Sequence, residues 1–261
     1  MNVPGRVVRI RGKDVHYIEH NAEALGVPLL CIHGLDSSHL AWLNFIAALP
    51  RDRRTIAIDM PGFGYSSKPL DGVYTVEYMA QIVTDLLNIL KIDRIILAGH
   101  SIGGAVCDYL SRFHPDRVAA LVLIAGYRIA RLGLADMNSK ISKNILLFSY
   151  ADKGNIDMDT ALLQRSFYGG KALQDLKQRI SVEMLNTVPQ HVPEPHSDIP
   201  VLIVWGREDL ILPLSLVGEG SLIDHKGAQL VVIDQAGHAV QDEQPARTAQ
   251  ALSQFCASHC L

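Results

Sequence analysis

A serine between two glycines is the residue of this sequence best suited to nucleophilic chemistry. Gly99-His100-Ser101-Ile102-Gly103 is the single Gly-x-Ser-x-Gly pattern of the chain, and it directly follows the apolar run at 95–98 and precedes a helix-like segment. A serine on so tight a strand-to-helix turn is held in a strained conformation with its hydroxyl exposed. The pattern alone is common, so its place between a strand and a helix is what predicts a nucleophile at Ser101.

A serine hydroxyl needs a base to take its proton and a carboxylate to orient that base. Asp209 and His238 each come shortly after an apolar, strand-like run, at 201–205 and 229–233 respectively. The carboxyl ends of parallel strands share one edge of a sheet, which is where ligands bind in open α/β sheets. The chain order Ser101, Asp209, His238 therefore predicts a catalytic triad.

Other acids and histidines are rivals for these roles. Glu208 and Asp234 also lie near strand ends, although Asp234 is better placed to cap a turn. His100 is next to the serine but is expected to point away from the serine oxygen. Asp209 as the orienting acid and His238 as the base fit the strand-end positions best.

Acyl transfer also needs hydrogen-bond donors for the oxygen that becomes negatively charged in the transition state. The backbone N–H of Ile102, directly after the serine, is one expected donor, and that of Leu35, in the loop after the third strand, is the other. His33 begins this loop and is expected to support it by hydrogen bonding and to belong to the substrate-binding region. Asp36 is expected to be a turn residue.

Strand-like and helix-like segments that alternate along most of the chain must position these residues. The alternation predicts an α/β fold with a mainly parallel sheet flanked by helices. Continuous apolar strands fit a parallel sheet that is covered on both faces. The predicted strands are 7–11, 14–19, 29–32, 54–58, 94–98, 118–124, 201–205 and 229–233, and the clearest helices are 76–90, 102–113 and 245–259.

The segment from 127 to about 198 departs from this alternation. It holds helix-like pieces at 137–148, 159–167 and 172–185, followed by a proline-rich return. A crossover between parallel strands needs only about a dozen residues, so a helical cap (127–198) is predicted, inserted between two parts of a core domain (1–126 and 199–261). Four of its apolar residues are expected either to line an acyl pocket or to pack the cap onto the core: Leu134, Met137, Phe148 and Phe167.

The composition excludes several classes of function. The chain has 261 residues and a formal charge of −3, which lacks the basic excess of a nucleic-acid-binding protein. Its apolar runs are shorter than the roughly 18 residues of a membrane span, and the first residues lack the apolar region of a secretory signal. A cytoplasmic protein with no membrane span is expected. The four cysteines are too sparse for a disulfide scaffold or a zinc site, so no metal is expected.

The sequence resembles the α/β-hydrolase superfamily over nearly its whole length. The resemblance implies an eight-stranded sheet with the cap inserted after strand six, and a carboxylic-ester hydrolase that needs no cofactor. Gly-His-Ser-x-Gly-Gly is more similar to carboxylesterases and lipases than to meta-cleavage C–C hydrolases, which usually have Asn at the position of His100. The resemblance rests on five segments in the family's order: 30–34, 59–66, 99–104, 205–209 and 237–245.

Two other functions stay open at this point. The same triad could hydrolyse the C–C bond of a vinylogous diketone or open a lactone. Some plant hormone receptors also share this fold and triad, and they act by rearranging a lid and binding a partner. The expected partner of this chain is a small-molecule ester, and the sequence does not distinguish a monomer from a homodimer.

Overall fold

Runs of aliphatic and β-branched residues form the strands of one sheet. The computed structural model describes residues 5–126, 151, 163, 166–188, 193–196, 198–217 and 227–261. The strands are β1 (Arg6–Ile10), β2 (Lys13–His20), β3 (Gly26–Ile32), β4 (Arg53–Ile58), β5 (Ile95–His100), β6 (Val118–Ile124), β7 (Val201–Gly206) and β8 (Gln229–Ile233).

The eight strands lie side by side in the order β1-β2-β4-β3-β5-β6-β7-β8. β2 runs antiparallel to both of its neighbours, β1 and β4. Every other pair in the sheet is parallel. The predicted α/β fold with a mostly parallel, eight-stranded sheet is therefore confirmed, and β5, β7 and β8 end at the same edge.

Helices cover both faces of the sheet. They are α1 (Leu43–Ala48), α2 (Val76–Ile89), α3 (Ile102–Phe113), α4 (Lys171–Asn186), α5 (Leu214–Val217), α6 (Val240–Glu243) and α7 (Pro245–Ser258). Buried apolar residues of α2, α3 and α4 share one core cluster, and those of α1 and α7 share the cluster on the other face. Full burial of one large aliphatic or aromatic side chain stabilises such a core by about 2 kcal/mol.

Helix α4 agrees with the predicted helix at 172–185 and packs onto the core. Leu176, Ile180 and Met184 recur at a spacing of four residues, so they lie on one face, and all three are buried in the cluster with α2 and α3. The predicted helix at 137–148 and most of that at 159–167 lie outside the described residues. The cap as a separate unit therefore stays a prediction.

None of the described helices is both long enough and apolar enough to cross a membrane.

Candidate active site

Ser101 lies in the sharp turn between β5 and α3. Its backbone has φ 53° and ψ −122°, a left-handed conformation that is strained for a residue with a side chain. The turn closes tightly, since a Cβ atom on Gly99 would collide with the carbonyl oxygen of Gly103. The Ser101 N–H donates to the carbonyl oxygen of Ile124 on β6, at 2.9 Å. The serine side chain is half-buried and so is within reach of a ligand.

Asp209 and His238 meet at the carboxyl ends of β7 and β8. Nδ1 of His238 lies 2.8 Å from Oδ2 of Asp209, and both side chains are buried. The other carboxylate oxygen accepts the backbone N–H groups of Ile211 and Leu212, at 2.9 and 2.8 Å. A carboxylate held in this way keeps a proton on Nδ1, so that Nε2 is left to accept one.

His100 connects the serine turn to the loop that carries His238. Its Nε2 donates to the backbone carbonyl oxygen of His238 at 2.9 Å, so the ring is held by His238 as well as by its place beside Ser101. Burial, followed by the nearby charge of His238, lowers the pKa of His100 to about 3. Nδ1 of His100 is buried and has no hydrogen-bond partner among the described residues. His100 is therefore a neutral ring at the centre of the site.

The serine hydroxyl has no hydrogen bond to a described residue. The proton-transfer contact between Ser101 and Nε2 of His238 is therefore not formed in this structure. Such contacts are often long in the absence of substrate and shorten when it binds. What the structure brings together is the strained serine, the His100 ring and the hydrogen-bonded Asp209–His238 pair.

The loop that follows β3 lies against the serine turn. A Cβ atom on Gly34 would lie 3.1 Å from Cβ of Ser101 and 3.0 Å from Nδ1 of His100. The N–H groups of Leu35, in this loop, and of Ile102, at the start of α3, have no hydrogen-bond acceptor within the described part of the chain. These two N–H groups are the ones proposed below as oxyanion donors.

His33 is fully buried at the start of the same loop. Its Nδ1 donates to the carbonyl oxygen of Gly34 at 2.7 Å, and its Nε2 accepts the N–H of Met60 at 3.1 Å. Burial is the main cause that lowers the pKa of this histidine. Because backbone groups engage both ring nitrogens, we propose that His33 holds the loop rather than contacting substrate.

The rival acids have other partners. Glu208 accepts the backbone N–H of Ala236 at 3.1 Å. Asp234 forms an exposed ion pair with Arg207. Neither carboxylate is among the described hydrogen-bond partners of His238, whereas Asp209 is.

Of the predicted pocket residues, only Phe167 is described. Its ring is partly buried against the core and meets the ring of Tyr65 edge to face, with centroids 4.8 Å apart. The ammonium group of Lys68 lies 5.4 Å from the centre of the Phe167 ring. The other three residues, Leu134, Met137 and Phe148, lie outside the described residues.

The structure contains a second buried aspartate–histidine cluster, which was not predicted from the sequence. Asp59, at the end of β4, accepts four N–H groups: Nδ1 of His16 at 2.9 Å, Nδ1 of His39 at 3.0 Å, the backbone N–H of His39 at 2.6 Å and that of Tyr65 at 2.9 Å. Burial alone would raise the pKa of Asp59, but the hydrogen bonds from His16 and His39 outweigh it and hold that pKa well below its ordinary value. The antiparallel pairing of β2 with β4 places His16 beside Asp59, and no local sequence pattern indicates this pairing.

This cluster also has the ligand types of a metal site. One ligand atom from each of His16, His39 and Asp59 lies within 4.8 Å of the others. Both Nδ1 atoms already donate to the carboxylate, however, and four N–H groups occupy about the four lone-pair positions that a carboxylate offers. The cluster is satisfied by hydrogen bonds alone, and the expectation that no metal is needed stays a prediction.

The chain is similar to known proteins over most of its length. A family profile described as "alpha/beta hydrolase fold" matches residues 27–245. The chain is 31% identical to a 2-hydroxymuconate semialdehyde hydrolase from Pseudomonas sp. (strain CF600), over 89% of this chain and 87% of that protein. It is 30% identical to the dihydrolipoyllysine-residue acetyltransferase component of the acetoin cleaving system from Pseudomonas putida, over 96% of this chain and 68% of that protein.

Solved protein structures also share the fold of this chain. One is a serine hydrolase involved in carbazole degradation, which superposes with a TM-score of 0.78 at 25% identity and covers 98% of this chain and 100% of that chain. The similarity extends through the segments that carry Ser101, Asp209 and His238.

Proposed function

The chain belongs to the α/β-hydrolase family, and on that premise we propose that it is a serine hydrolase that cleaves carboxylic esters. One observation carries the proposal: a buried Asp209–His238 pair is connected through His100 to the turn of Ser101, which the backbone holds in a strained conformation. A nucleophile, a base and an orienting acid are the groups that acyl transfer requires.

The proposed reaction has two steps. Oγ of Ser101 attacks the ester carbonyl carbon and gives its proton to Nε2 of His238, while Asp209 stabilises the resulting imidazolium. The N–H groups of Leu35 and Ile102 bind the carbonyl oxygen as it becomes negatively charged. The alcohol leaves with the proton from His238, and an acyl-serine remains. A water molecule then repeats the sequence and releases the acid.

The surroundings of the site favour a small substrate with little charge. The formal charge of −3 on 261 residues provides no strong field to attract a highly charged ligand. The aromatic pair Tyr65–Phe167 offers apolar contact area where the proposed cap meets the core. We propose that the cap, 127–198, completes an acyl pocket of small to medium size.

The direct test is the replacement of the nucleophile. Ser101→Ala is expected to lower the turnover of p-nitrophenyl acetate and butyrate by at least about 10³-fold, because it removes the only nucleophile of the proposed mechanism. Ser253→Ala is the matched control, since its hydroxyl only donates to the carbonyl oxygen of Ala249 within α7. A fluorophosphonate probe should label wild type and Ser253→Ala but not Ser101→Ala. Turnover by Ser101→Ala near that of wild type would contradict the proposal.

Hydrolysis of a C–C bond is the second candidate reaction. Its support is the 31% identity to the 2-hydroxymuconate semialdehyde hydrolase, whose name states a substrate that is not an ester. The loss of absorbance of a ring-fission dienone should be measured beside ester hydrolysis, with the same enzyme and buffer. A kcat/KM at least tenfold higher for the dienone would favour the C–C reaction, and the reverse ratio would favour the ester.

A further inference from the structure

An ion pair joins helix α4 to the loop that carries a proposed oxyanion donor. Nζ of Lys177 lies 2.5 Å from Oδ2 of Asp36, with side-chain exposures of 30% and 14%. Asp36 directly follows Leu35, whose N–H is proposed to bind the oxyanion. The Leu35 N–H belongs to the peptide between Gly34 and Leu35, and Asp36 is joined to it through the Cα of Leu35. A shift of the Asp36 backbone can therefore rotate that peptide through Leu35.

The Asp36 end of the pair is conformationally demanding. Its φ is 55°, in the left-handed region that an aspartate adopts at some cost. Leu35 packs its side chain against the core, and His33 donates to the carbonyl oxygen of Gly34, which is on the same peptide group as the Leu35 N–H. On the other side of Leu35, the ion pair of Asp36 with Lys177 connects the loop to α4.

The Lys177 end of the pair is held by a rigid helix. Two residues of α4 bond to the loop before α2: Glu183 accepts the N–H of Tyr74 at 2.8 Å, and Arg179 donates to the carbonyl oxygen of Leu70 at 2.9 Å. Thr187, directly after α4, accepts the N–H of Val76 at the start of α2, at 3.3 Å. The apolar face of α4 is buried in the core. The backbone of Lys177 is thus fixed with respect to the sheet.

Tyr168 also helps to place the ammonium group. Its ring centre lies 5.6 Å from Nζ of Lys177, within the range of a cation–π contact. The Tyr168 hydroxyl donates to the carbonyl oxygen of Gly62 at 2.7 Å, which ties this ring to the loop after β4. The ammonium group of Lys177 therefore contacts both the Tyr168 ring and the Asp36 carboxylate.

We propose that Lys177, through Asp36, is a positioning residue that, together with the hydrogen bond from His33 to Gly34, sets the orientation of the Leu35 N–H toward the oxyanion. The inference rests on the proposed serine-hydrolase function. A partly exposed ion pair adds little to folding stability, whereas the loss of an oxyanion donor costs about 10²–10³ in kcat. A donor that is displaced but still present should cost less, on the order of tenfold.

The test compares the pair with a matched pair on the same helix. Lys177→Met and Asp36→Asn remove the charges, Lys177→Arg keeps one, and Lys171→Met removes the exposed lysine that pairs with Asp175 at 2.7 Å. We expect Lys177→Met and Asp36→Asn each to lower kcat for p-nitrophenyl butyrate about tenfold with KM within about twofold. Lys177→Arg should recover most of kcat, and Lys171→Met should match wild type.

The kcat of the double variant Lys177→Met/Asp36→Asn shows whether the two residues act through one shared interaction or independently. If the two residues act as a pair, the double variant should be no slower than either single variant, because one interaction is lost in all three. Effects that multiply to about 100-fold, or a raised KM with unchanged kcat, would overturn the inference.

A second readout works even if the substrate is not an ester. Amide hydrogen exchange of residues 33–38 should be faster in Lys177→Met than in Lys171→Met, at equal thermal stability. Failure of wild type to hydrolyse any ester would contradict the proposed function only, and the exchange comparison would still test the pair. Equal exchange and equal kcat in Lys177→Met and wild type would overturn the role of Lys177.

Discussion

Two regions of the molecule hold a histidine against a buried aspartate at the end of a strand. At the ends of β7 and β8, Asp209 binds one histidine ring, that of His238, and two backbone N–H groups. At the end of β4, Asp59 binds two rings, His16 and His39, and again two backbone N–H groups. The residue types are the same, and both clusters are buried.

The difference lies in what surrounds the rings. His238 lies next to His100, which adjoins the turn of Ser101, so its second nitrogen belongs to the site with the proposed nucleophile. His16 and His39 face each other, with ring centroids 4.9 Å apart, and Tyr65 covers them. A histidine–aspartate pair is thus equally suited to catalysis and to structure, and the neighbouring groups decide which.

The largest expected effect separates the two clusters by activity. Asp209→Asn should lower kcat/KM for the best ester by about 10³–10⁴-fold, because the amide no longer keeps His238 in the required tautomer. Asp59→Asn should leave kcat/KM within about fivefold of wild type, since Asp59 touches neither Ser101 nor His238. Steady-state kinetics of both variants at pH 7 measure the difference. Comparable losses in the two variants would mean that the Asp59 cluster also takes part in catalysis.

The second prediction concerns stability, where the order should reverse. Asp59→Asn should lower the free energy of unfolding by about 3 kcal/mol, because an amide cannot accept all four N–H groups around it. Urea denaturation at pH 7, with the exposed Asp175→Asn as control, measures this loss. A loss for Asp59→Asn no larger than for the control would show that the cluster contributes little to stability.

The same cluster fixes the sign of a pH effect. The folded pKa of Asp59 is held below the value of about 3.9 expected for the unfolded chain, so the unfolded state binds the proton first. Its contribution is complete above about pH 5 and is lost as the pH falls toward the folded pKa. Between about pH 4 and pH 3, the free energy of unfolding of wild type should therefore fall more steeply with decreasing pH than that of Asp59→Asn.

The bounds of a helix or strand could be predicted from the sequence where a local signal, such as a turn or a proline, ends it. The predicted bounds at 102–113, 118–124 and 229–233 agree with α3, β6 and β8, because apolar runs end there at a turn or at Pro115. The strand predicted at 29–32 begins earlier, at Gly26. The start was not predicted because Pro28 argues against a strand at this position. The strand accommodates the proline at an irregularity, where the register shifts between Gly26 and Leu29.

Contacts between distant elements were predictable only where topology implied them. Asp209 and His238 follow adjacent parallel strands, so their meeting could be expected from chain order. The contact of His16 with Asp59 depends on β2 pairing antiparallel with β4, an order that no local pattern reveals. The pairing of Lys177 with Asp36 depends on how α4 packs, which is set by tertiary contacts rather than by the spacing of its residues.

The smallest expected effect tests a carboxylate outside both clusters. Asp234 ends β8 only a few residues before His238, yet its side chain is exposed and pairs with Arg207. Arg207 holds the pKa of Asp234 below its ordinary value, but in water such a pair is screened and contributes little. Asp234→Asn should therefore leave kcat/KM within about twofold of wild type. A loss that approaches that of Asp209→Asn would transfer the orienting role to Asp234 and remove the distinction between a buried acid and an exposed one.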